Sequence, residues 1–134
     1  MIYNYDSGVR AELIRVANQM RKDNDPISGS DRGRIHNYFG LAAATNGEMR
    51  EVVSAVPPDE VWATYEWVNP PTSEQSDFDS MERRFVRANV DEVSGKSQEA
   101  LQLYRSIDKE LNQRKDASPV VLRRVQDAVK RLSH

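Results

Sequence analysis

Two histidines, His36 and His134, are the imidazoles of this 134-residue chain, so any histidine-based acid–base chemistry must run through them. A nucleophilic triad would need a serine or threonine oriented by one of them and a carboxylate, and no Gly-x-Ser-x-Gly elbow occurs. The histidines cannot form a His-Glu-x-x-His pair, and no Asp-x-Asp-x-Asp-Gly loop is present. Paired carboxylates are abundant: Glu48 with Glu51, Asp59 with Glu60, Asp77 with Asp79, Asp91 with Glu92. Acid–base work needs such a pair buried and facing a pocket, whereas the helix dipole by itself favours acidic residues at helix N-termini. The expectation is therefore a chain that is not an enzyme, with no catalytic residue, no metal ligand set and no cofactor.

Binding chemistry has more to draw on. Ser28-Gly29-Ser30-Asp31-Arg32-Gly33-Arg34 is a small-residue loop leading into a helix, where free backbone N–H groups and Arg32 or Arg34 could hold an anion. It lacks the Gly-x4-Gly-Lys-Ser/Thr pattern, and a helix-capping turn accounts for it as well. Ala43, Gly47 and Val53 fall at the offsets of a helix-turn-helix, with Val56 closing the second helix. Its reading helix, residues 48–56, carries two glutamates and Arg50 as its one cation, which opposes phosphate contact. A second nucleic-acid option is the basic outward side of the last helix, with Arg123, Arg124, Lys130 and Arg131, diluted by Asp127. The aromatic cluster Trp62, Tyr65 and Trp67, flanked by Pro57-Pro58 and Pro70-Pro71, has the composition of a protein-binding hot spot. On a helix Trp62 and Tyr65 share a face and Trp67 points elsewhere, so one side can fill the core while the other meets a partner.

The elements that must position these residues follow from periodicity. Val9, Leu13, Val16, Ala17 and Met20 have the spacing of one helical stripe after the capping residues Asp6-Ser7, ending near Asp25-Pro26. A second helix starts at Ser30-Asp31, buries Ile35, Tyr38, Phe39 and Ala42 on one face, and meets a left-handed cap at Asn46-Gly47. Glu48 to Val56 is a short helix stopped by Pro57-Pro58. The β-forming run Asp59 to Val68 is read as helix, because no second strand exists to satisfy its backbone. Asn69-Pro70-Pro71 opens a polar linker through Gln75.

The last sixty residues carry three clearer signals. Ser76 and Asp79 have capping-box spacing ahead of Phe78, Met81, Phe85, Ala88 and Val93, and Ser94-Gly95 breaks that helix. Ser97 begins the next, with Ala100, Tyr104, Ile107 and Leu111 as its stripe. Ser118-Pro119 starts the last, on which Val121, Val125, Ala128 and Leu132 align, flanked by Leu122 and Val129. Arg84, Arg87 and Asp91 stand where a tetratricopeptide repeat needs large apolar residues, so that match fails. The reading is one all-α domain over 1–134, a compact bundle of about six or seven short helices whose last three are antiparallel neighbours.

Composition fits this reading. Hydrophobic residues are 38% and charged ones 30%, and the absence of cysteine excludes disulfides and thiolate ligands. The net charge of −2 hides a division into +1 over 1–40, −7 over 41–100 and +4 over 101–134. No secretory signal pattern and no run of eighteen apolar residues occurs, so a cytoplasmic protein without a membrane partner is expected. By elimination, the function expected is protein binding, as an adaptor, inhibitor or regulatory accessory factor, through residues 57–71. The alternatives are a helix-turn-helix regulator of transcription or replication and a small structural or assembly protein. The partner expected is a protein, with nucleic acid as the alternative and a homodimer compatible with either.

Overall fold

The computed structural model describes residues 8–44, 46–70, 77–114 and 118–133. The cap expected at Asp6-Ser7, the capping box of Ser76 and Asp79, the side chain of Phe78, the linker from Pro71 to Gln75, and His134 lie outside them. Among the described residues there are seven helices and no strand: α1 (Gly8–Lys22), α2 (Gly29–Ala43), α3 (Asn46–Ala55), α4 (Pro58–Val68), α5 (Asp77–Val93), α6 (Ser97–Asn112) and α7 (Pro119–Leu132). The all-α reading holds, and so does the helical assignment of the β-forming run, which is α4. The chain divides into two compact units, residues 1–74 and 75–134, described in turn.

In the N-terminal unit α1 packs on α2, α3 and α4, and α4 also packs on α2 and α3. Ile14, Phe39, Met49, Val52, Val56, Val61, Tyr65 and Val68 are among its large buried apolar side chains. Local chemistry fixes the helix ends. Beyond α1, Asn24 takes the left-handed φ of 55°, while the N–H groups of Asn24 and Asp25 donate to the carbonyls of Arg21 (3.2 Å) and Met20 (3.0 Å). This is a Schellman closure, and asparagine tolerates the conformation it requires. Ser28, two residues earlier than expected, caps α2, its Oγ accepting the N–H of Asp31 at 3.1 Å. Asn46-Gly47 does not form the expected left-handed cap. α2 already closes at Ala44 in right-handed geometry, and Asn46 is the first residue of α3.

In the C-terminal unit α6 packs against both α5 and α7. Met81, Ala88, Ala100, Tyr104, Ile107, Leu111, Val125 and Ala128 form one apolar cluster, with Phe85, Leu103, Leu122, Val129 and Leu132 packed against it. Gly95, at φ 86°, closes α5 with a second Schellman pair: its N–H donates to Glu92 O at 3.2 Å and that of Lys96 to Asp91 O at 2.8 Å. Pro119 follows the cap residue Ser118 at the start of α7, as its fixed φ favours.

Candidate functional site

The N-terminal unit departs from its sequence reading most clearly at α1. The helix buries Ala11, Ile14, Ala17 and the polar Asn18, and leaves the expected core residues Val9, Leu13 and Val16 at 49%, 36% and 42% exposure. The reason is a polar network that draws the Asn18 side inward. Asn18 Nδ2 donates to Glu60 Oε1 at 3.2 Å, and its Oδ1 accepts from Arg21 Nη2 at 2.9 Å. The buried Thr64 hydroxyl lies 3.0 Å from Asn18 Oδ1 and 2.8 Å from Glu60 O, with one proton to share between them. Lys22 completes the set as an ion pair with Glu60, and Arg21 Nη2 stands 3.8 Å from the same carboxylate. Hydrogen bonds from Lys22 and Asn18 hold the Glu60 carboxyl below its ordinary pKa, against the opposing pull of desolvation. With these buried polar groups satisfied from α4, the helix is anchored by a face the apolar spacing does not mark.

The displaced stripe lines a groove between α1 and α2. Leu13, Val16, Ala17 and Met20 form one wall, Ile35 and Tyr38 the other, and Asp31 and Arg34 stand at its edge, enclosing about 140 Å³. Tyr38, expected in the core, is half-buried here, and Ala43 takes the inner position on α2. Val9, one turn before Leu13, and Leu41, one turn after Tyr38 and 47% exposed, prolong the two walls.

The aromatic cluster is divided. Tyr65 is 2% exposed and belongs to the core: the Trp62 ring stacks on it at 5.1 Å, His36 stacks at 6.4 Å, and Phe39 meets it edge-on at 5.3 Å. Trp62 and Trp67 are both half-buried, and Trp67 is five positions beyond Trp62, about 140° around the helix. The structure thus joins Trp62 to Tyr65 and sets Trp67 apart. His36 has a positioning role, its Nδ1 hydrogen-bonded to Asn69 Oδ1 while Asn69 Nδ2 donates to Tyr65 O at 3.2 Å. Arg32, a candidate for anion binding, donates instead to the carbonyls of Trp67 (2.7 Å) and Val68 (3.2 Å), neutralising the C-terminal end of α4. The stretch expected as a loop is helical from Gly29 onward, and Arg34 is exposed on the second turn of α2.

The candidate nucleic-acid residues fall in both units. Arg50 is exposed on α3 in the first, next to the exposed Glu51. Arg123, Arg124, Lys130 and Arg131 are exposed on α7 in the second. Arg131 is engaged, its Nε and Nη2 donating to the two Glu92 carboxylate oxygens at 2.8 and 2.9 Å; Glu92 also accepts from the Tyr104 hydroxyl at 3.2 Å. Burial pushes the Tyr104 phenol well above its ordinary pKa, so it stays a neutral donor. Sequence reading did not single out Arg105 and Lys109, both exposed on α6, although their i,i+4 spacing opposite the apolar stripe was there to read.

Among the described residues no group of three His, Asp or Glu side chains is placed to hold a metal ion, and no helix is long and apolar enough to cross a membrane. No family model matches the chain, and neither the curated proteins nor the solved structures contain a match to it.

Proposed function

We propose that this protein is a non-enzymatic binding domain, an adaptor, inhibitor or accessory factor, that captures an amphipathic helical segment of a partner protein in the α1–α2 groove. The observation that carries this reading is the exposed stripe Val9, Leu13 and Val16, continued by Met20 and facing Ile35 and Tyr38. A groove between two helices is the seat that a third helix fits, presenting anchors at i, i+3 or i+4, and i+7. Val9 to Met20 spans about 17 Å at 1.5 Å per residue, which is three turns of such a partner. The groove volume of about 140 Å³ is close to that of an interior cavity able to hold benzene, so it has room for one leucine or aromatic anchor. Tyr38 and Met20 suit the role, since aromatic rings make hot spots and thioethers adapt their shape.

A displayed library of helical 14-residue peptides, selected against the whole chain, tests the proposal. Selected peptides should carry apolar anchors at helical spacing and shift the methyl resonances of Leu13, Val16 and Met20. The double variant Leu13→Glu, Val16→Glu should bind them at least about tenfold more weakly, which is 1.4 kcal/mol, with unchanged far-UV circular dichroism. Binding that survives the double variant but fails on Trp62→Ala would move the site to the aromatic segment and overturn the groove assignment.

A further inference from the structure

Among the described residues six large apolar side chains are exposed, and four of them, Val9, Leu13, Val16 and Leu41, line or prolong the walls of the α1–α2 groove. Such a concentration marks a surface that another molecule covers. On α1, Val9, Leu13, Val16 and Met20 are spaced by four, three and four residues, a pattern that reads the same from either end of the helix. An antiparallel helix carrying the same stripe therefore meets it in register. About a twofold axis between Leu13 and Val16, Val9 stands opposite Met20 of the other copy and Leu13 opposite its Val16.

The charges beside the stripe fit the same arrangement. Ala17, one residue after Val16, is buried in the angle between α1 and α2. Glu12 and Arg15, one residue before Leu13 and Val16 respectively, lie about 100° the other way, on the flank away from α2. They form an exposed pair within the helix, Arg15 Nε donating to Glu12 Oε2 at 2.9 Å. The twofold axis sets this flank of one copy beside the same flank of the other, with Glu12 of each about 3 Å along the helix axis from Arg15 of its mate. Opposite charges thus meet twice, and the net charge of +1 over residues 1–40 adds little repulsion. α1 and α2 have 15 residues each. A face about 22 Å long and about 20 Å wide buries on the order of 900 Å² over both copies, which is the size of a reversible interface.

We infer that a second copy of this chain occupies the α1–α2 groove when no partner helix does, the two copies packing α1 against α1 about that twofold axis. This rests on the reading of the groove as a seat for a helix and adds the regulation of that seat. The dimer is its closed form, and a partner helix must displace the second copy to enter. With α2 beside α1 in each copy and Tyr38 and Leu41 turned to the groove side, four helices close over the apolar face. The interface is isologous, so it is complete at two copies and does not propagate into a fibre. The apparent affinity for a partner helix falls in proportion to the fraction of chain left monomeric, and therefore falls as the protein is concentrated.

Sedimentation velocity of the full chain at increasing concentration is the test. The weight-average mass should rise from that of one 15.3 kDa chain toward twice that value, with a Kd on the order of 10 to 100 μM. Glu12→Arg and Arg15→Glu, both at exposed positions, should each weaken self-association about fivefold, because like charges then meet twice. Mixed in equal amounts, the two variants should regain the dimer, since every cation then faces a carboxylate across the interface although like charges stand side by side within each helix. Circular dichroism checks that each variant is folded. A mass that stays at one chain up to about 500 μM, well above that Kd, overturns the inference, as does a mixture that regains nothing or association that persists in Leu13→Glu, Val16→Glu. The helical peptides selected on the groove should split the dimer; peptides that bind it without lowering its mass place the second copy elsewhere and overturn the inference. A monomeric chain that still captures the peptides keeps the groove and loses the second copy. A dimer abolished by Leu13→Glu, Val16→Glu, with no peptide selected, keeps the second copy and removes the partner protein.

Discussion

The two units each bury two polar side chains and differ in what those side chains do to the helix that carries them. The C-terminal unit packs one apolar cluster, with ion pairs such as Arg84–Glu110 and Arg131–Glu92 around it, and on α5 it buries Asn89 and Asp91 next to Val86 and Val90, which the apolar spacing did not mark. The N-terminal unit places Asn18 and Thr64 inside, satisfied by Arg21 and Glu60, and leaves apolar Leu13 and Val16 outside. Hydrophobic burial is non-directional and tolerates many arrangements, whereas a buried amide fixes its partners individually. A satisfied polar contact can therefore rotate a helix away from its most apolar face, and the face released becomes available for binding.

The largest effects should come from the aromatic residue at the centre of each unit. Tyr65→Ala removes the ring on which Trp62, His36 and Phe39 converge, and Tyr104→Ala removes the one that packs against Phe85 at 6.1 Å. Each should cost about 4 kcal/mol, read by hydrogen exchange of amides in α1–α4 for the first and α5–α7 for the second. Tyr104→Phe gives a finer measure: it deletes only the hydroxyl donated to Glu92 and should cost about 1 kcal/mol.

A neighbouring pair on α1 sharpens the contrast. Ile14→Ala empties a fully buried position and should cost about 3 kcal/mol, while Leu13→Ala next to it should cost less than about 1 kcal/mol, both read by urea denaturation. Periodicity alone predicts the reverse order, since Leu13 lies in the strongest apolar stripe of the helix. Every helix was legible in the sequence, including α4 despite its β-forming residues, because proline, serine and glycine punctuation is local chemistry. The inward faces of α6 and α7 were legible too, apart from Val121, which is 40% exposed near the start of α7. What could not be read was the rotation of α1. It depends on Asn18 meeting Glu60 and Thr64 more than forty residues away, and no local pattern carries that pairing. The aromatic cluster was visible as a cluster, but the burial of Tyr65 was not, because it depends on Phe39 and His36 arriving from α2.

The polar interior can be set against the polar edge directly. Thr64→Val keeps the shape of a fully buried residue but removes the hydroxyl shared by Asn18 and Glu60, leaving Asn18 Oδ1 with Arg21 alone. A cost of about 1.5 kcal/mol is expected. Arg131→Gln at the margin of the other unit breaks a bidentate pair whose arginine is half exposed, and should cost about 1 kcal/mol or less. Equal costs, measured by thermal unfolding, would show that the N-terminal network contributes nothing special and that α1 is held by Ile14 and Ala17 instead.

Acid separates the units by sign. Hydrogen bonds lower the folded-state pKa of Glu60, so its contribution is present above the ordinary glutamate value near 4.3 and is lost as pH falls through the lowered one. Burial raises that of Asp91, although Arg87 and Lys96 oppose the shift, so ionisation there works against folding at neutral pH. Its favourable contribution is complete below the ordinary aspartate value near 3.9 and disappears as pH rises through the raised one. Hydrogen exchange from pH 6 down to pH 3, corrected for intrinsic rates, should show protection of α1 and α4 falling while that of α5 holds or rises. Asp91→Asn should flatten the α5 response and give a small gain in stability at pH 7. A loss there would mean that the 3.4 Å contact with Arg87 outweighs the cost of burying the charge, and the C-terminal unit would then rely on a buried carboxylate where the N-terminal unit relies on the neutral Asn18 and Thr64.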